Sequence, residues 1–116
     1  MRLFHVDAFT DELYKGNPAG VVLLHDTELS DETMKSIAKE LKHSETAFVS
    51  FGKEEIGLRW FTPKREVDLC GHATLASAYV LFETGLFKRT AEIRFSTKSG
   101  ILTARRSETG IEMDFP

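Results

Sequence analysis

Apolar and polar positions change period several times along the chain, and each change marks an element. Leu3 to Phe9 reads as a strand, with Leu3, His5, Asp7 and Phe9 on one side of the pleat. Thr10 to Gly20 reads as a loop, because Gly16-Asn17-Pro18 is turn chemistry. Val21 to Leu24 is a short apolar strand. Ser30 then suits a helix N-cap, and Asp31 and Glu32 fall where a helix dipole favours acids. Met34, Ile37, Ala38 and Leu41 follow at helical spacing, so this helix is amphipathic and belongs on the surface of the core.

Thr46 to Phe51 and Ile56 to Thr62 predict a hairpin joined by Gly52-Lys53-Glu54-Glu55. Ala91 to Thr97 and Gly100 to Arg106 are strands with Ser99-Gly100 turning between them, and Thr109-Gly110 turns into a last strand, Ile111 to Phe115. Between these groups Cys70-Gly71-His72 opens a helix that runs to about Thr84, with Gly85 where a left-handed cap would fall. Ala73, Leu75, Ala76, Ala78, Tyr79, Val80, Leu81 and Phe82 go round its whole wheel, which predicts burial on all sides. Strands outnumber helices and no strand–helix–strand unit repeats, so a parallel doubly wound sheet is not expected. The pattern predicts an α+β fold: a largely antiparallel, curved sheet wrapped around one central buried helix, plus one surface helix.

The 116 residues suffice for one domain, 1–116, burying roughly two-thirds of its unfolded surface. With 41% hydrophobic and 28% charged residues the chain has the balance of a soluble globular protein. A net charge of -3 and scattered Lys and Arg give no reason to expect nucleic acid. One cysteine forbids an internal disulfide and suits a reducing compartment. Met1 to Asp7 lacks the apolar core of a signal peptide, and no run is long enough for a membrane helix. The expected setting is cytoplasmic, with no membrane partner.

The candidate chemistry collects where the central helix begins. A helix N-terminus carries free N–H groups and the positive end of a dipole, so it can hold an anion and shift the pKa of a neighbour. Cys70 sits there, either as a buried structural thiol or as a thiolate favoured by the dipole; the second reading predicts a pKa below about 8.5. Gly71 allows close approach to the backbone. His72 could bind a carboxylate or carbonyl, or simply cap the helix. Thr74 could add a hydroxyl or close the first turn. Glu45, between the first helix and an apolar strand, is a solvated acid or, with its pKa raised, a general acid–base group. Asn17 reads as a turn residue. Asp68 could orient His72 or be a surface acid. There is no phosphate loop, no Gly-x-Ser-x-Gly elbow and no metal-ligand spacing among His5, His25, His43 and His72. Nothing in these residues calls for a metal or an organic cofactor.

The run Val67-Asp68-Leu69-Cys70-Gly71-His72-Ala73-Thr74-Leu75 resembles the PhzF-like family of phenazine biosynthesis, relatives of diaminopimelate epimerase. Asp7-Ala8-Phe9 with Gly16-Asn17-Pro18-Ala19-Gly20-Val21-Val22, Ser44-Glu45-Thr46-Ala47-Phe48-Val49, and Arg59-Trp60-Phe61-Thr62-Pro63 agree in order and spacing. The resemblance implies a β-barrel-like fold around the central helix and a cofactor-independent isomerase or epimerase that moves a proton on a small carboxylate-bearing substrate. It implies Glu45 as the proton shuttle, Cys70 as a possible second acid–base group of the epimerase kind, and Asn17, Gly71, His72 and Thr74 as substrate contacts. Members of the family are roughly twice as long and hold the active site in a cleft between two similar halves. These residues correspond to the N-terminal half; an Asp of the second half and a strand from the far C-terminus are not among them. The expectation is therefore either a missing C-terminal half or a homodimer with the Glu45 and His72 regions near its interface. A non-catalytic domain that binds a small acid or a partner protein is the reading from another class.

Overall fold

A computed structural model of the protein describes residues 2–8, 17–25, 28–42, 45–51, 55–88, 91–107 and 110–115, with the backbone alone at 7, 8, 17, 18 and 107. The strands are β1 (Arg2–Ala8), β2 (Asn17–Leu24), β3 (Glu45–Phe51), β4 (Ile56–Phe61), β5 (Glu66–Val67), β6 (Glu92–Thr97), β7 (Gly100–Ser107) and β8 (Gly110–Asp114). The helices are α1 (Asp31–Leu41) and α2 (Gly71–Glu83). One sheet has the order β1-β2-β3-β4-β6-β7-β8, with β5 paired to β4, and curls as a half-barrel around α2.

Which strands are apolar throughout follows from how many faces are covered. In β2, Ala19, Val21 and Leu23 join the core around α2, while Val22 and Leu24 pack with Met34, Ala38, Phe48 and Phe61 beneath α1. Sandwiched between two helices, β2 and β3 read as continuous apolar runs. Strand β6 has a helix on one face only, and there Ile93 and Phe95 turn inward while Glu92 and Arg94 face water.

The start of α1 and the end of α2 are capped as the residues predict, and the end of α1 is capped by Lys42. Ser30 Oγ accepts the Thr33 N–H at 3.1 Å. Lys42 takes the left-handed conformation with φ 58 and its N–H returns to the Ala38 carbonyl at 3.2 Å. After α2, Gly85 has φ +76 and its N–H meets the Phe82 carbonyl at 3.2 Å.

Three expectations need correction. Among the described residues the sheet contains two parallel pairs, β2 with β3 and β4 with β6, each joined through a helix, beside five antiparallel pairs. Strand–helix–strand units therefore occur, with their helices on opposite faces. Asn17 to Gly20 is not loop: it is the start of β2, paired with Val6 to Ala8 and His5 of β1. Proline is tolerated near the first residue of a strand, which is where Pro18 stands. Finally, α2 is not buried on every side. Ala73, Thr74, Ala76, Ser77, Ala78, Val80, Leu81 and Phe82 are buried, but His72 and Leu75 are half-buried and Tyr79 is 44% exposed, with Glu83 also open. These four lie along one stripe of the helix. The half-barrel ends at β1 and β8 without closing, so one line of α2 stays uncovered. No helix among the described residues is long and apolar enough to cross a membrane.

An ion cluster pins the segment that leads into α2. Arg59 on β4 makes a two-pronged contact with Glu66 on β5, 2.8 Å at each prong, and reaches Asp31 on α1 at 3.0 Å. Lys98 adds a bond to Glu66 at 2.7 Å, and Ser99 Oγ donates to the Asp68 carbonyl at 2.6 Å. Arg59 first, against the opposing effect of burial and with help from Lys98, holds the Glu66 carboxyl at about 2, below its ordinary 4.5. A depressed carboxyl stabilises the fold above its unfolded value, and that contribution fades as pH falls from about 4.5 toward about 2. Denaturant midpoints measured down this range should fall less steeply for Glu66→Gln than for the parent chain. Equal slopes would show that the cluster contributes nothing to the acid limb.

Candidate active site

Strand β3 starts at Glu45, whose Cα partner is Ala19 of β2. Residues of β3 alternate, so Glu45 shares the α2-facing side with Ala47 and Val49. Helix α2 starts one residue after Cys70, which is extended (φ -146, ψ 98) and takes the N-cap position. Its sulfur accepts the Ala73 N–H at 3.5 Å, replacing the oxygen that usually serves there. The same sulfur lies 3.6 Å from Glu45 Oε1. Glu45 and Cys70, 25 residues apart, therefore meet at one end of the half-barrel.

The turn is braced from inside. Thr74 Oγ1 donates to the Cys70 carbonyl at 2.7 Å and accepts Trp60 Nε1–H at 3.0 Å. Thr74 is fully buried, and its hydroxyl supports the turn from the core, the second of the two roles open to it. Trp60 was legible only as part of a motif, though a lone Trp in an apolar strand is a signal in itself, since a buried indole N–H needs a partner.

Gly71 has a neighbour that sequence reading missed. A Cβ at this position would lie 3.2 Å from Phe115 Cζ, so the ring that follows β8 already uses the close approach that glycine allows. Phe115 is 44% exposed and forms a rim beside the helix end. His72 is the second residue of α2 and is half-buried, with its backbone N–H directed at the Cys70 sulfur. Asn17 opens β2, two residues before the partner of Glu45, which brings its backbone to the same end of the sheet; its side chain lies outside the description, as does Ser44.

The thiol reverses its expected shift. Burial raises the Cys70 pKa first, and the charge and hydrogen bond of Glu45 raise it further, outweighing the backbone N–H groups of Ala73 and His72 that favour the thiolate. The backbone N–H groups at the helix start pull toward the thiolate, and burial outweighs them. Cys70 is a neutral thiol at pH 7. Among the described residues no group of three or more His, Cys, Asp or Glu is placed to hold a metal ion.

A family model described as phenazine biosynthesis-like protein matches residues 6–116. The chain belongs to this family. An uncharacterized isomerase of Halalkalibacterium halodurans is 51% identical over 114 residues, covering 98% of this chain and 43% of the relative. The crystal structure of a putative phenazine biosynthesis PhzC/PhzF protein from Clostridium difficile superposes with a TM-score of 0.85 at 50% identity, over 98% of this chain and 43% of that one. A probable proline racemase from Agrobacterium radiobacter shares the fold alone, with a TM-score of 0.65 at 10% identity over 84% of this chain and 38% of that one. The chain thus spans less than half the length of the curated relatives it matches. Its half-barrel around one helix is the epimerase-like fold of these phenazine biosynthesis-like proteins.

Proposed function

We propose that this chain is one half of an isomerase or epimerase in which Glu45 moves a proton on a small carboxylate-bearing substrate. The observation that carries this reading is the meeting of the Glu45 carboxylate with the capped N-terminus of α2. A general base and an anion-favouring helix end then stand side by side.

In the proposed step the substrate carboxylate docks against the first turn of α2, at Gly71 and His72, with the Asn17 end of β2 beside it. Glu45 takes a proton from the neighbouring carbon. The C–H bond breaks, its electron pair stays on the substrate and spreads into the carboxylate or a conjugated group, and the helix dipole stabilises that charge. The proton returns at another carbon or on the other face, so no oxidant or reductant is consumed. Thr74 and Trp60 hold the turn; neither touches the substrate.

This half supplies one wall. The opposite wall, with the second acid–base group, comes from the further length that relatives possess; a second copy of this chain would cover the same surface but bring no second family acid, so such a dimer should show little or no turnover. Leu75, Tyr79, Leu69 and Phe115 are the apolar positions such a unit would cover. The reading is tested by turnover of the family's full-length form carrying these residues and Glu45→Gln. Loss of turnover in a folded protein supports it, and near-normal turnover contradicts it.

A further inference from the structure

Three hydrogen bonds and one strand pairing close a ring through the helix turn. Ala47 on β3 pairs with Trp60 on β4. Trp60 Nε1–H donates to Thr74 Oγ1 at 3.0 Å, and Thr74 Oγ1 donates to the Cys70 carbonyl at 2.7 Å. Cys70 Sγ then reaches Glu45 Oε1 at 3.6 Å, two residues before Ala47 on β3. Trp60 and Thr74 are buried, so the first links are anchored in the core. The backbone of Cys70 is tied again by the Thr74 N–H to its carbonyl at 3.1 Å.

The direction of the last link follows from donor chemistry. An ionised carboxylate has no hydrogen to give, and a thiol has one. The sulfur already accepts a backbone N–H from Ala73, so its hydrogen is the one available to Oε1. We propose that Cys70 is a positioning residue for Glu45: its neutral thiol, locked in the N-cap, donates to Oε1 and holds the carboxylate in the one rotamer that faces the α2 turn. Oε2 is then left to meet the substrate proton. The raised thiol pKa agrees with this, since a donor must keep its hydrogen. Glu45 is the charged group that faces the thiol from β3, while α2 offers it the backbone N–H groups of Ala73 and His72. The catalytic meaning of this contact rests on the proton-transfer reading of Glu45; the contact itself does not.

The chain can be tested without substrate. Three-bond NMR couplings to Glu45 Cγ should report a single rotamer in the parent chain and in Cys70→Ser, whose hydroxyl can both cap and donate. In Cys70→Ala they should average over rotamers. Averaged couplings in the parent, or an unchanged single rotamer in Cys70→Ala, would overturn the proposal. If Cys70→Ala fails to fold for want of a cap, Glu45→Gln decides. With one cysteine in the chain, alkylation by iodoacetamide at pH 7 reads this thiol alone. The rate should rise several-fold once the carboxylate charge is gone, and an unchanged rate would overturn the assignment. Neither readout uses turnover. Failure here therefore leaves the role of Glu45 standing, and normal turnover of the Glu45→Gln enzyme leaves this contact standing.

Discussion

Glu45→Gln in the full-length form should lose about 10²–10⁴-fold in turnover, the usual worth of one acid–base group. The amide keeps the volume of the side chain and can still accept the Cys70 hydrogen, so the fold should be unchanged. It cannot take a proton from carbon. Because the docking turn of α2 is untouched, the loss should fall on kcat and leave KM nearly as it was. A matched rise in KM with kcat intact would mean that Glu45 only binds. Circular dichroism and the thermal midpoint of the variant separate either outcome from misfolding.

Trp60→Ala should cost about 3–5 kcal/mol, the range for removing a large buried aromatic. Trp60 is 1% exposed and is the largest of the fully buried side chains. Its loss also strips Thr74 of a donor, so the Cys70 turn loses its support from the core. Domains of this kind have only about 5–15 kcal/mol in total, so the variant should sit near the edge of folding. Trp60→Phe keeps most of the ring and drops the N–H, and should cost closer to about 1 kcal/mol for the hydrogen bond. Urea unfolding followed by circular dichroism measures both, since Trp60 is the chain's one tryptophan and its fluorescence goes with it. A cost below about 1 kcal/mol for Trp60→Ala would show that the site does not hang on this residue.

Local signals in the sequence carried far. Ser30 at the start of α1, Cys70 at the start of α2 and Gly85 at its end are short-range chemistry, and the structure has them where the residues place them. The β3–β4 hairpin is equally local. What escaped is non-local. The parallel pairing of β2 with β3 depends on α1 folding back across the sheet, and no residue pattern within either strand reports its partner. The apolar wheel of α2 said that the helix wants cover, not that this chain provides it; Leu75 and Tyr79 are left for something else. At Cys70 the favourable helix start was readable from adjacent residues, but the largest influence is burial, to which Glu45 adds, and only the fold brings these about. Motif resemblance, rather than periodicity, singled out Glu45, and the structure supplied its neighbour.

Proton transfer itself can be followed most directly by incubating the full-length form in deuterium oxide with small carboxylic acids and reading label at carbon by NMR. One acid should gain a single deuterium at the carbon beside its carboxylate or conjugated to it, with the parent protein and not with Glu45→Gln. Label that enters equally with Glu45→Gln would contradict proton transfer through this carboxylate.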